Sequence, residues 1–253
     1  MIIMKHTGRI PILAMVILVT AIMFTNCKKE INNPGSNNQA NGKTTAVFNS
    51  SQMYETMTDQ DGNVYKTIVI GKQTWMAENL RTTRYRDGSN IPLITDISAW
   101  SALLTGAYCN LNNTTNADSI ATFGRLYNWN AVTNVHNIAP VGWHIPTSAE
   151  WDTLNTCLGN MDSCGGKLKE IGLTHWSSPN TDANNSTGFT ALPGGCRNYY
   201  GLFDYNGTLT IWWSSTEISS TEAWAEGVNS STSSVFKDTY NIISGYSVRC
   251  IQD

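Results

Sequence analysis

The chain has 253 residues, a formal net charge of −3 and a pI near 5.8. Charged residues make up 14% of it, against ~25% in ordinary globular proteins. That balance excludes nucleic acid as an expected partner, because phosphate backbones are followed by clustered Lys and Arg. The length allows a domain of about 200 residues with a real core.

The N-terminus reads as an address. Lys5, His6 and Arg9 precede an apolar run from Ile10 to Phe24. The run suits a signal sequence and falls short of the ~20 residues of a membrane span. Met4 is an alternative start. Cys27 follows directly, then Lys28-Lys29-Glu30. This resembles a bacterial lipoprotein signal in residues 1–26, with Cys27 as the lipidated first residue. Asn26 departs from the small residue usual before the Cys, and Phe24 from the usual aliphatic one. A conventional cleaved signal is the alternative. The resemblance implies export and a lipid anchor in the cell envelope, at the outer membrane, with no other membrane contact.

Residues 27–52 are rich in Asn, Gly, Ser and Thr. Such a composition buries little and predicts a flexible tether. One domain is expected over 53–253. Asp59-Gln-Asp-Gly-Asn63 is a turn cluster, and Gly71-Lys72 between Val64–Ile70 and Gln73–Met76 predicts a two-residue hairpin. Residues 80–120 lack periodicity and read as irregular. Leu126, Trp129 and Val132 fall on helical spacing and predict a short helix over 124–132. Thr147-Ser-Ala-Glu150 is a capping box that starts a second helix, with Trp151, Leu154 and Leu158 on one face and Gly159 as the stop. A further helical turn is expected over 164–171. Strands are expected over 189–192, 210–214, 223–228, 234–237 and 246–251. Segregated strands and helices give an α+β class.

Five cysteines follow Cys27. An oxidising compartment favours pairing, and Cys157 with Cys164 are close enough to close a small loop. No C-x-x-C, H-E-x-x-H, P-loop or G-x-S-x-G motif occurs, and no two histidines of the mature chain stand at metal-binding spacing. His144 in its apolar run reads as a hydrogen-bonded core residue. Asp59, Asp61 and Asn63 begin like a calcium loop but lack the distal bidentate Glu. They read as a turn, with calcium the one cation left open.

Several blocks occur in one order. They are Ile70-Gly-Lys-Gln-Thr-Trp-Met-Ala-Glu-Asn-Leu80, Gly124-Arg-Leu-Tyr-Asn-Trp129 and Pro140-Val-Gly-Trp-His-Ile-Pro-Thr147 with Glu150-Trp151. Then come Gly188-Phe189, Ala191-Leu-Pro-Gly-Gly195, Trp212-Trp-Ser-Ser-Thr-Glu217 and Ser247-Val-Arg-Cys250. Over about residues 54–253 the chain resembles the Fibrobacter succinogenes major paralogous domain family. The family is similar in layout to C-type-lectin-like folds and to the formylglycine-generating domain. The resemblance therefore implies a central antiparallel sheet, two short helices, long irregular loops and termini that pair near each other. Ala139 replaces a frequent family Cys, and Cys196 stands where an aromatic residue is commoner. A compensating Cys196–Cys250 bridge is the hypothesis drawn from those departures.

The expected function is a non-catalytic, lectin-like binding domain on an envelope lipoprotein that recognises a glycan or an envelope protein. Arg197, Asn198, Tyr199 and Tyr200 form a loop of adaptable recognition residues after Gly194-Gly195. Trp213 is expected on the outer face of its strand, and Glu217 completes the ligand-binding set. The alternatives are a copper-dependent oxidase of the formylglycine-generating type, using Cys196 and Cys250, and a structural envelope protein without ligand.

Overall fold

The computed structural model describes residues 42–253. The expected signal segment, Cys27 and the tether up to residue 41 lie outside the described residues. The strands are β1 (Glu55–Thr58), β2 (Val64–Ile70), β3 (Gln73–Met76), β4 (Tyr108–Cys109), β5 (Leu126–Tyr127) and β6 (Trp143–His144). They continue as β7 (Cys196–Arg197), β8 (Phe203–Asp204), β9 (Leu209–Ser219), β10 (Glu222–Asn229), β11 (Val235–Asn241) and β12 (Ile251–Gln252). The helices are α1 (Ile97–Ser101), α2 (Ala117–Phe123), α3 (Trp129–Val132), α4 (Ser148–Cys157) and α5 (Met161–Leu168). The class is α+β, as the sequence predicts. None of these helices is long and apolar enough to cross a membrane.

Two antiparallel sheets carry the architecture. The larger has the order β1-β2-β3-β12-β6, so the C-terminal strand is inserted beside the N-terminal hairpin. Ile251 sits opposite Trp75 on one side and His144 on the other. The second is the meander β11-β10-β9. The β2–β3 turn is the expected Gly71-Lys72 pair, with Gly71 at φ +63° as a primed hairpin turn requires.

β9 differs from the sequence expectation. Trp212 and Trp213 are 1% and 0% exposed, so at these residues neither face of the strand meets water. Trp212 stacks on Trp151 of α4 at 5.7 Å, while Trp213 lies against Tyr246 at 4.6 Å on the opposite side. β9 separates two hydrophobic cores, which is why Ile-Trp-Trp runs without alternation. Trp75, Trp151, Phe189 and Trp212 form the centre of the second core, with centroids 4.6 to 6.2 Å apart. Such pairs add about 0.5–1.5 kcal/mol each beyond burial.

The helices also depart from expectation. The capping box at α4 is complete, with Thr147 accepting from Glu150 N and Glu150 accepting from Thr147 N. The predicted helix over 124–132 is instead β5 followed by the single turn of α3. Asn128 causes the break: its Oδ1 accepts from Ala107 N across the β4–β5 pair and from Ala131 N at the helix start. Residues 80–120, expected to be irregular, contain α1 and α2, capped by Asp96 and Asn116. Residues 189–192 and 246–251 contribute bridges and β12 rather than full strands. Residues 43–52, expected in the tether, lie on the domain, with Lys43 N, Thr45 N and Val47 N bonded to Asp118, Thr122 and Glu170.

Glu226 on β10 is 2% exposed, and Asn155 Nδ2 of α4 donates to both its oxygens at 3.1 and 3.0 Å. Burial pushes its carboxyl from the usual 4.5 up to about 8. The folded chain therefore holds a proton that the unfolded chain releases at lower pH, and stability falls as pH rises between 4.5 and about 8. Urea titrations of Glu226→Gln across this range should lose that slope, and the variant should be the more stable form above pH 8.

Candidate functional site

The family-like blocks meet in the interior, and their polar groups serve the fold. Arg249 is 1% exposed. It donates to the Phe189 and Thr190 carbonyls and, through Nε at 2.9 Å, to Asn79 Oδ1. Its guanidinium lies 4.1 Å from the Phe189 ring centroid. Asn79 Oδ1 also accepts Trp212 Nε1 at 2.9 Å, while its Nδ2 reaches the Phe123 carbonyl and Ser247. Asn79→Ala leaves two buried donors unpaired and should cost on the order of 3 kcal/mol in a urea melt.

His144 is hydrogen-bonded as expected, but its side chain is 37% exposed, which corrects its expected place in the core. Its Nδ1 meets Asp253 at 2.7 Å and its Nε2 meets Glu150 at 2.8 Å. Burial opposes its charge, but the bonds to Glu150 and Asp253 outweigh this and hold the imidazole above its usual value. The group ties the C-terminal strand to the N-terminus of α4. The two carboxylates of the Asp59–Asn63 cluster are likewise engaged. Asp59 accepts from Asp61 N, Asn63 N, Asn63 Nδ2 and Tyr65 Oη. Asp61 accepts from Thr82, Thr83 and Arg84. These oxygens hold a turn.

All five cysteines after Cys27 are free thiols, which corrects both expected pairings. Cys164 is buried and donates toward Asn155 Oδ1 at 3.5 Å, whereas Cys157 is exposed beside Gly71. Cys196 faces the Asp204 carbonyl, and Cys250 is sealed behind Met76. Burial pushes the Cys196 thiol up to about 12 and the Cys250 thiol higher still. Among the described residues no three His, Cys, Asp or Glu side chains form a metal-holding group. In a chain beginning after Cys27, a thiol reagent should label Cys157 alone in the native state and the other four thiols after unfolding.

The predicted ligand set divides. Arg197 is fully buried, so it is corrected to a scaffold residue. It donates to the carbonyls of Ile94, Thr95, Asp96 and Gly201 and lies 4.5 Å over Trp100. Trp213 is corrected likewise: its Nε1 donates to the Tyr127 carbonyl at 2.8 Å within the core. Glu217 is exposed but lies eight residues along β9 from Leu209, roughly 25 Å at strand rise. Leu209 is where β9 meets the 195–205 segment, and Glu217 makes no hydrogen bond or ion pair with that loop.

Asn198, Tyr199 and Tyr200 do share one turn, with Asn198 half-buried and the two tyrosines exposed. Asn198 Oδ1 accepts from Tyr200 N and Leu202 N, and its Nδ2 donates to Asp204 at 2.6 Å. Gly201 at φ +89° passes so close to Ile97 that a Cβ would meet its carbonyl oxygen at 2.6 Å. The turn thus projects Tyr199 and Tyr200, 40% and 61% exposed, with centroids 4.0 Å apart and hydroxyls bonded at 2.6 Å. Tyr205, 61% exposed, stands nearby in sequence at φ +61°, a backbone region that costs energy for a bulky residue. The sequence signal for it is Tyr205-Asn-Gly207, a turn cluster between β8 and β9.

No curated protein and no solved structure gave a match. Residues 68–252 match the Fibrobacter succinogenes major domain. The matched span holds the Asn79–Arg249–Trp212 centre, the capped α4 and the tyrosine loop, and the chain belongs to the Fibrobacter succinogenes major domain family.

Proposed function

We propose that this domain is a non-catalytic recognition module with a C-type-lectin-like fold, carried on an envelope lipoprotein and binding a glycan through the 198–205 loop. The observation that carries the reading is the paired tyrosines on a turn fixed by Asn198 and by the buried Arg197. Two exposed rings held by their own hydroxyl bond offer a stacking face with little entropy left to lose. Leu202 and Tyr205, also exposed, belong to the same loop. The N-terminal signal pattern with Cys27 supports an exported, lipid-anchored chain at the outer membrane.

The test is a glycan array probed with the chain beginning after Cys27, with and without calcium. Binding is expected, independent of calcium, and it should disappear in Tyr199→Ala/Tyr200→Ala while the thermal midpoint stays unchanged. Binding that survives the double substitution would move the site elsewhere. A blank array in both conditions would favour a protein partner or a structural role.

A further inference from the structure

The N-terminal strap crosses the domain on the side of β1 and β2, and a cleft lies beneath it. An ideal Cβ at Gly42 would fall 1.9 Å from the Ala117 carbonyl oxygen, so the strap runs directly against α2. Thr45 Oγ1 also bonds His175 Nε2 at 2.9 Å, and His175 Nδ1 meets Glu170 at 2.7 Å, which pins the strap further. The cleft is open to solvent and has a volume of about 280 Å³, lined chiefly by Thr44, Thr56, Tyr65, Lys66, Glu78 and Arg81.

The charges in this cleft do not balance. Lys66 and Arg81 bring two positive charges against the one carboxylate of Glu78. The Lys66 ammonium lies 5.2 and 5.3 Å from the Phe48 and Tyr54 ring centroids and has no hydrogen bond or ion pair among the described residues. Arg81 Nη2 donates to the Val64 carbonyl at 2.9 Å, and its guanidinium lies 4.3 Å from the Tyr65 ring centroid. Its Nη1 is buried and makes no hydrogen bond. Its nearest carboxylate oxygen, on Glu78, is 3.9 Å away, too far for one. Glu78 is itself engaged, since Oε2 accepts Lys66 N at 2.5 Å. Burial holds its carboxyl above the usual value against the pull of Arg81, Arg249 and Lys66.

We propose that the cleft binds a small molecule through a carboxylate seated between the Lys66 ammonium and Arg81 Nη1. A buried donor without an acceptor is destabilising, and a planar carboxylate fits an arginine edge. One negative charge neutralises the surplus in the cleft. A dianion such as phosphate would overshoot it beside Glu78. The carboxylate can belong to an acidic sugar or to an acidic amino acid.

The test is a titration of the chain beginning after Cys27, followed by amide NMR, with glucuronate, glutamate (a net monoanion), glucose and inorganic phosphate. A carboxylate should shift the amides of Thr56, Lys66 and Arg81, and the tighter of the two names the source. Lys66→Met should weaken binding about tenfold, the loss of one charge-assisted hydrogen bond. Glu78→Gln keeps an acceptor for Lys66 N and should tighten binding. Tyr199→Ala/Tyr200→Ala should leave the titration unchanged, so this site and the tyrosine loop stand or fall separately. Silence of those amides at millimolar carboxylate, phosphate binding tighter than either acid, or weakening by Glu78→Gln at an unchanged thermal midpoint would each overturn the assignment.

Discussion

Arg249 is a cation sealed inside the domain, and the surrounding chain is arranged to satisfy it. Its charge is met by the Phe189 and Thr190 carbonyls, the Asn79 side chain and two aromatic faces, with no carboxylate in direct contact. Burial lowers its pKa to about 9, with Glu78 acting in the opposite sense. Removing water from a guanidinium is costly unless its donors are matched. Asn79, Phe189, Trp212 and Arg249 are therefore interdependent, although they are scattered along the chain.

The same device recurs. Arg197 gathers the carbonyls of 94–96 and Gly201, and Lys169 those of Thr181, Asn229 and Thr232. A chain with long irregular segments leaves many carbonyls without a sheet or helix partner, and each one buried needs a donor. Here cations take the place of regular secondary structure. Few charges are present, and several of the positive ones are spent inside. The tyrosine loop profits from this, because its turn is fastened from beneath by Arg197 and leaves its aromatic face outward.

Local chemistry was legible where a few adjacent residues decide it. The Gly71-Lys72 turn and the Thr147–Glu150 capping box are complete in the sequence and complete in the fold. The exposure of Tyr199 and Tyr200 followed from their loop composition. What depends on partners far along the chain was not legible. An alternating strand and a strand packed on both faces can share the letters Ile-Trp-Trp, and only the presence of α4 on one side and Tyr246 on the other separates them. Arg197 looks like a ligand residue until the 94–96 carbonyls are seen around it. Helices of a few residues, such as α1 and α3, are too short to show a period, and their caps at Asp96 and Asn128 were the remaining signal.

The strap also has a mechanical consequence. Lys43, Thr45 and Val47 bind the domain through successive backbone amides, each to a different side chain. A pulling force applied from the N-terminal side would reach these bonds one after another, in a peeling geometry, before any load came onto the β1–β2 ladder. The strap would then act as a fuse: it yields at low force, lengthens the linkage by the strap's own contour, and spares the cores on either side of β9.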